Sequence, residues 1–521
     1  MKTTLRLSLA AFGLATFNLS AATLHVSLLS TNPVSPYATW ANAATNIQDA
    51  VDVSKAGDTV LVTNGVYATG GKTNEYGYLC NRVSITNAIR LESVNGPLVT
   101  TIDGGGSGRC VYLGASAVLS GFTLMNGCVS VIWGSGSSGG GVFSEPSGIV
   151  TNCTVSGNVA LGSASTPCGG RGGGAYGGTF YNCTLTGNLA GSGGGADSST
   201  LYNCTLTGNS IHCDGVGGAG AYLCTLYNCT LTANSVWGSG GGAGWSTLYN
   251  CTLTGNAAYR GGGACVSTLY NCTLTGNSAA WFGGGASGCT LYNCTVTGND
   301  GGGSAGSTLY NCTVTGNDGG GVTTSFDGST VFNSIVYYNF GGNYANGTIL
   351  NYCCTTPLPT NGVGNITTPP WFMDWAAGDF RLREESPCID AGTNLIGFPI
   401  MGWDVELNNW TIVGHITDPA DILGNTRFID GNFDGTVAWD IGAYEFNSFR
   451  PPRFTCGPQL TANGWQLNIT GAANQWVRLQ RSSDLRNWEN IWFGWMGSEG
   501  VKQVTDGDMG QKVMFYRAVV E

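Results

Sequence analysis

The chain predicts an all-β fold, a right-handed parallel β-helix of about a dozen coils followed by a small C-terminal antiparallel β-sandwich. Three observations carry this. First, a phrase reading Tyr-Asn-Cys-Thr-Leu-Thr-Gly-Asn stands at 202–209, 249–256 and 270–277, with varied copies starting at Tyr181, Tyr227, Tyr292 and Tyr310. The Asn before each Cys falls at 152, 182, 203, 228, 250, 271, 293 and 311, so most spacings are 21 or 22 residues. A fixed period of this size is the signature of a solenoid whose units stack on one another. Second, each unit is too short for a pair of helices, and its alternating Thr, Tyr, Leu and Val favour strand. Third, the chain holds 85 Gly in 521 residues without a collagen period. Runs such as 193–196, 261–264 and 283–286 place that Gly at bends of the repeat. At roughly 4.8 Å of rise per coil, a dozen coils make a rod on the order of 60 Å long.

The elements follow in chain order. Residues 1–22 read as an export signal: Lys2 and Arg6, an apolar stretch over 7–17, then Ser20-Ala21-Ala22. That stretch is too short to span a bilayer, and no other transmembrane candidate follows, so the mature chain is expected to be secreted or held at the outer cell surface. Ile47, Ala50, Val51 and Ser54 have the spacing of a short amphipathic helix that caps the open end, and 59–62 begins the first coil. The solenoid is expected over 23–350, a closing region over 351–449 and the sandwich over 450–521, after the linker Arg450-Pro451-Pro452.

Each column of the repeat has its own expected role. Cys153, Cys183, Cys204, Cys229, Cys251, Cys272, Cys294 and Cys312 share a strand face with the Leu or Val two residues on, which predicts an inward ladder of buried thiols. Off-register pairs such as Cys213/Cys224 and Cys353/Cys354 are the better disulfide candidates. The Asn before each Cys is expected in the bend, its amides stacking from coil to coil. The Tyr before that Asn is expected to face outward as an aromatic stripe, self-stacking or binding sugar.

On these residues the repeat region resembles pectate-lyase-like parallel β-helices. It is similar in particular to the Gly-Gly-Ala and Asn repeats of polymorphic outer-membrane and adhesin-type surface proteins. Further on, Ser386-Pro387-Cys388-Ile389-Asp390, Asp421-Ile422-Leu423-Gly424-Asn425 and Asp440-Ile441-Gly442-Ala443-Tyr444-Glu445 resemble, in that order, the choice-of-anchor Q domain of exported bacterial β-helix proteins. Cys388 departs from that pattern, where Ala is more usual. Asp390, Asp421, Asp440 and Glu445 would suit Ca²⁺ if gathered, or else cap turns. No other metal and no cofactor is expected: the chain has no Cys-x-x-Cys and three His.

Function follows from what the solenoid carries. The net charge of −11 argues against nucleic acid as a partner. From 104 to 370 the charged residues are Arg109, Glu145, Arg171, Asp197, Asp214, Arg260, Asp300, Asp318 and Asp327, and no Lys occurs between Lys72 and Lys502. Acid–base groups are too sparse to predict catalysis, so a structural or adhesin-like scaffold that contacts polysaccharide is the leading expectation. The alternative is a polysaccharide lyase or glycoside hydrolase acting on an acidic glycan. Aligned on the Gly runs, Arg171, Arg260, Asp300 and Asp318 share a column, with Arg260 as base or neutraliser and the two carboxylates as metal ligands or second base. Trp237, Tyr259 and Trp281 fall just before them, the expected sugar-binding aromatics.

Overall fold

A computed structural model describes residues 21–73, 79–130, 137–162, 167–214, 217–325, 328–397 and, with short interruptions, 399–520. The export signal falls almost wholly outside these residues, as do Asp327 and the linker 450–452. Three long sheets run the length of the solenoid. The first has 14 strands from Thr23–Val26 to Ile349–Asn351, and the second has 13 from Gly65–Tyr67 to Cys354–Thr355. The third has 12, from Lys72–Thr73 to Val322–Thr323, parallel throughout except for its first pair. One coil is a strand from each sheet, as in Ala243–Gly244, Thr247–Tyr249 and Thr252–Thr254. The chain is thus a parallel β-helix, and every phrase lies in register on the next: Leu226 opposes Leu248, and Tyr227 opposes Tyr249.

The core is a set of columns. Leu201, Leu226, Leu248 and Leu269 from the first sheet, Leu206, Leu231 and Leu253 from the second, and Ala221, Ala243 and Ala264 from the third are fully buried. Each Leu withdrawn from water contributes about 1.5–3 kcal/mol. The eight phrase cysteines are buried free thiols, as their strand face predicts.

The corner between the first and second sheets explains why the phrase contains Asn-Cys. The Asn adopts left-handed backbone in every copy, with φ between 47° and 54° from Asn152 to Asn333. Asn tolerates that region better than other residues bearing a Cβ. The turn leaves the next residue's N–H without a strand partner. Cys204 donates its N–H to Cys229 Sγ at 3.4 Å, and Cys229 donates to Cys251 Sγ at 3.4 Å. Each thiol in turn points at the carbonyl two residues earlier, 3.3 Å for Cys229 to Tyr227. The corner between the third and first sheets repeats the device with Ser and Cys: Cys224 donates to Ser246 Oγ at 3.1 Å and Ser267 donates to Cys289 Sγ at 3.4 Å.

One expectation needs correction at this level. The disulfide joins Cys168 to Cys213, whereas Cys224, Cys353 and Cys354 are free. Cys224 is a rung of the Ser/Cys ladder, so its neighbour in sequence is not its neighbour in space. The Asn before Cys does sit in the bend with its amide bonded from coil to coil, 3.3 Å from Asn228 to Asn203 and 3.1 Å from Asn293 to Asn271. A second, buried amide ladder is formed by the Asn that ends the phrase. Asn209, Asn234, Asn256 and Asn277 are fully buried. Asn234 Oδ1 accepts from the backbone and side-chain nitrogens of Asn209 at 3.0 Å each, while its Nδ2 donates to Leu206 O and Asn256 Oδ1 at 2.9 Å. The glycines that follow are demanded by contact: a Cβ on Gly195 would lie 2.5 Å from Gly220 O and 3.0 Å from the Asn209 amide.

At the N-terminal end the helix Ile47–Val53 buries Ile47, Ala50 and Val51, and Asn46 caps it by accepting the Asp49 N–H at 2.9 Å. Gln48 extends the cap onto the third sheet by accepting the Ser84 N–H at 2.7 Å. Beyond the last coil the hairpins Phe372–Asp374/Asp379–Leu382 and Pro399–Asp404/Asn409–His415 form. Two small antiparallel sheets follow and share a core of Leu467, Ile469, Val477, Leu479, Met496 and Val504.

Candidate functional site

An open groove of about 630 Å³ runs along the corner that follows the buried Asn ladder. One row of its lining is set by strand register: Ser210 opposes Ser235, Ser235 opposes Ala257, Ala257 opposes Ser278, and Ser278 opposes Asp300. Beside that row Ile211, Val236, Ala258 and Ala279 are buried and make an apolar floor. Cys213 packs into the same apolar cluster, so its disulfide to Cys168 ties the segment Pro167–Gly169 to the start of the groove.

Trp237 and Tyr259 form the rim, and Trp281, lying against Tyr259, extends it. Trp237 is 84% exposed, Tyr259 45% and Trp281 47%, and the Tyr259 and Trp281 rings lie 5.4 Å apart. Strands Ala257–Arg260 and Ser278–Phe282 pair in parallel, and their register shifts between Ala258 and Arg260 so that Arg260 opposes Phe282. Such an irregularity re-aims side chains. Here it puts the Arg260 guanidinium 4.3 Å over the Trp281 ring and 5.3 Å from that of Phe282.

The column proposed for Arg260, Asp300 and Asp318 does not survive as a column. Arg260 registers with Ser239 and Phe282, whereas Asp300 registers with Ser278. The cause is that the Asn ladder, not the Gly run, sets the register. Eight positions lead from Asn277 to Gly285 but only four from Asn299 to Gly303. Asp300 therefore follows its ladder Asn at once and donates its N–H to Asn277 O at 2.8 Å, and Asp318 donates likewise to Asn299 O. Arg260 stands three residues along the strand and two coils away from Asp300, roughly 10 Å in each direction. Asp300 and Asp318 remain neighbours on successive coils, both exposed.

A second strip escaped the sequence reading. On the third sheet Tyr112, Phe143 and Tyr176 stack at 5.8 and 5.3 Å. Asp197 takes the next place in that column and Tyr222 the one after. Asp197 is fully buried and receives Arg171 at 2.6 and 3.1 Å, together with the Ser192 and Ser198 hydroxyls at 2.9 Å. Burial raises its pKa against the pull of Arg171. Arg109, over Phe143, is buried among carbonyls of Ser138 and Gly139, and burial lowers it to about 10. The signal was present: an aromatic follows the small residues in Gly173-Gly174-Ala175-Tyr176 and Gly140-Gly141-Val142-Phe143.

The four carboxylates of the closing region do meet, but as turn caps. Asp421 accepts the Leu423, Asn425 and Glu445 N–H groups, Asp440 accepts those of Asp390 and Phe446, and Asp390 accepts that of Asn432. Glu445 accepts Arg427 at 3.2 Å. Burial pushes Asp440 up to about 7 and Glu445 to about 10, the latter against the opposing charge of Arg427. Among the described residues no group of three or more His, Cys, Asp or Glu is placed to hold a metal ion.

No protein-family model and no curated relative matches the chain. Among solved structures, the pectate lyase Pel9A is similar at 12% identity and a TM-score of 0.33, over 82% of this chain and 98% of that one. XylC in complex with xylose is similar at 10% and 0.37, over 81% and 98%. The A-module of the Azotobacter vinelandii mannuronan C-5 epimerase AlgE6 is similar at 14% and 0.33, over 62% and 95%. At such identities and TM-scores the likeness says nothing about the chemistry of the groove.

Proposed function

We propose that the protein is an exported β-helix scaffold that binds polysaccharide along the Trp237–Tyr259–Trp281 rim without cleaving it. The observation that carries this reading is the rim itself: three exposed aromatics on successive coils, above an apolar floor and a row of hydroxyls. Large exposed aromatics on a soluble surface mark contact sites, and a sugar ring presents C–H faces that such rings cover. Arg260, held over Trp281, supplies one positive charge near the rim, and Asp300, well separated from it, supplies one negative charge in the groove lining, so an acidic glycan and a neutral one would differ in affinity. Binding in this reading needs no cofactor. Export is inferred from the first 22 residues. The closing region is proposed to be of the choice-of-anchor Q type, supported by the joining of its three motifs through Asp390, Asp421, Asp440 and Glu445.

The test is affinity electrophoresis and calorimetry of the full chain against neutral and uronic-acid polysaccharides. The double variant Trp237→Ala/Trp281→Ala should weaken binding at least about tenfold, the scale of losing one aromatic anchor. Undiminished affinity in that variant overturns the reading. A hydrolase or lyase reading has one observation behind it, the Asp300 carboxylate in the groove lining with the Asp318 carboxylate on the next coil. It requires release of reducing or unsaturated ends that Asp300→Asn abolishes, and no release from any bound polymer excludes it.

A further inference from the structure

We propose a second carbohydrate site, for neutral sugar rings, where the outer face of the second sheet runs under Trp375. This site shares no residue with the groove. In each coil the phrase Thr-Leu-Thr turns Leu inward and both Thr outward. Thr273 opposes Thr295 and Thr295 opposes Thr313, while Thr275 opposes Thr297 and Thr297 opposes Thr315. The result is two parallel rows of hydroxyls and methyls, roughly 4.8 Å apart from coil to coil and roughly 6.6 Å between rows.

At Thr273–Thr297 these rows enter a cavity of about 490 Å³ roofed by Trp375, Phe340 and Tyr444. The indole is held in place, since Trp375 Nε1 donates to Thr315 Oγ1 at 2.8 Å and its ring lies 5.6 Å from that of Tyr338. It is nevertheless 39% exposed, and Phe340 is 59% exposed. A second, independent feature points to a ligand. The Thr295 side chain is buried and its hydroxyl makes no well-formed hydrogen bond, its one loose partner being the Tyr444 hydroxyl on the same wall. A ligand hydroxyl seated between the two would complete the pairing of both.

The lining decides the chemical class. It combines aromatic faces with hydroxyls and contains no Asp, Glu, Lys, Arg or His. A charged sugar would lose hydration there and find no counter-charge, whereas a neutral one finds C–H platforms and hydroxyl partners. The rows also leave the cavity toward the N-terminal end through Thr252/Thr254, Thr230/Thr232, Thr205/Thr207 and Thr184/Thr186, again without a charged residue. A chain seated under Trp375 therefore continues along the solenoid axis over a face of repeating hydroxyls.

The experiment uses the full chain carrying Trp237→Ala/Trp281→Ala, so that the groove does not contribute. Calorimetry with a neutral xylo- or cello-hexasaccharide should show binding, and adding Thr275→Val with Phe340→Ala should weaken it at least about tenfold. Both added changes sit at the open face and spare the Trp375–Thr315 bond, and near-ultraviolet circular dichroism checks that the fold is kept. Absent binding of the neutral probe, or binding indifferent to the added pair, overturns the proposal. So does a galacturonate hexamer that binds as tightly and depends on the same pair. None of these outcomes bears on the groove, whose own variant is scored in the otherwise unaltered chain.

Discussion

The coils that carry Tyr202, Tyr227 and Tyr249 and the coils that carry Tyr292 and Tyr310 are built from nearly the same phrase, yet their outer surfaces differ. The stacking itself is indifferent to surroundings: Tyr202 and Tyr227 lie 4.7 Å apart, and so do Tyr292 and Tyr310. In the later coils the closing region folds back over the stripe. Leu395 and Trp439 bury Tyr292 and Tyr310 to 4% and 5% exposure. The corner Asn changes role in the same way. Asn228 only reaches the amide of Asn203, at 3.3 Å. Asn293 donates to Ala420 O at 2.8 Å and accepts from Arg427 at 3.3 Å. The phrase thus builds the solenoid everywhere, and a second element turns a stretch of its outer face into an interface.

Arg427 gives the sharpest way to break that difference. Its side chain is wholly buried and joins Glu445, Gly442 O and Asn293, so it pins the closing region to the corner. Removing it takes a buried donor from the Glu445 carboxyl, the Gly442 carbonyl and the Asn293 amide oxygen, which costs about 1–3 kcal/mol for each group left unsatisfied. Arg427→Ala should lower the urea midpoint of the transition that exposes Trp439 and leave the solenoid's own transition in place. Equal shifts of both would show that cover and solenoid unfold as one unit.

The pH dependence should separate the regions next. Asp440 is raised from 3.8 to about 7 by burial, and Glu445 is raised for the same reason. A raised carboxyl favours the folded state fully below its unfolded pKa, and that contribution is lost as pH rises through the folded value. The cover should therefore lose roughly 2–4 kcal/mol between about pH 4 and pH 7. The open coils from Thr200–Tyr202 to Thr252–Thr254 carry one carboxylate, Asp214, and one imidazole, His212, against the four capping carboxylates of the cover, and should change far less. Thermal melts at pH 5 and pH 8 check this, and a cover that gains stability at the higher pH refutes it.

What the sequence shows of this molecule divides along the same line. Period, strand content and inward columns were legible because each is repeated many times and read by alternation alone. The thiol ladder follows from Cys153 to Cys312 sharing a face with Leu and Val. The buried Asn209–Asn277 ladder was harder, because two Asn per phrase compete for the role and only left-handed backbone tells them apart. Asp300 falls elsewhere because a shortened coil makes Gly-run spacing and Asn-ladder spacing disagree, and the residue next to the ladder Asn follows the hydrogen-bonded amide. The cover over Tyr292 was beyond reach, since the phrase beneath it differs from the earlier copies only by Val for Leu at an inward, buried position.

The smallest effect is the most discriminating, because it asks whether the corner Asn matters for its backbone or for its amide. Asn228 is exposed with φ of 54°, a conformation Gly adopts without strain. Asn228→Gly trades a water-exposed amide contact and some chain entropy against that relief, and should change stability by no more than about 0.5 kcal/mol. At Asn293 the backbone is the same, φ 49°, but Gly would remove the Asn293 amide's bonds to Ala420 O and to Arg427 in a part-buried site. That loss should cost about 1–2 kcal/mol, again in the transition that exposes Trp439. Two neutral outcomes would mean that Leu395 and Trp439 hold the cover by apolar contact alone. Two costly ones would mean that the exposed amide column stabilises every coil, and the phrase would then owe its Asn to side-chain stacking as much as to the turn.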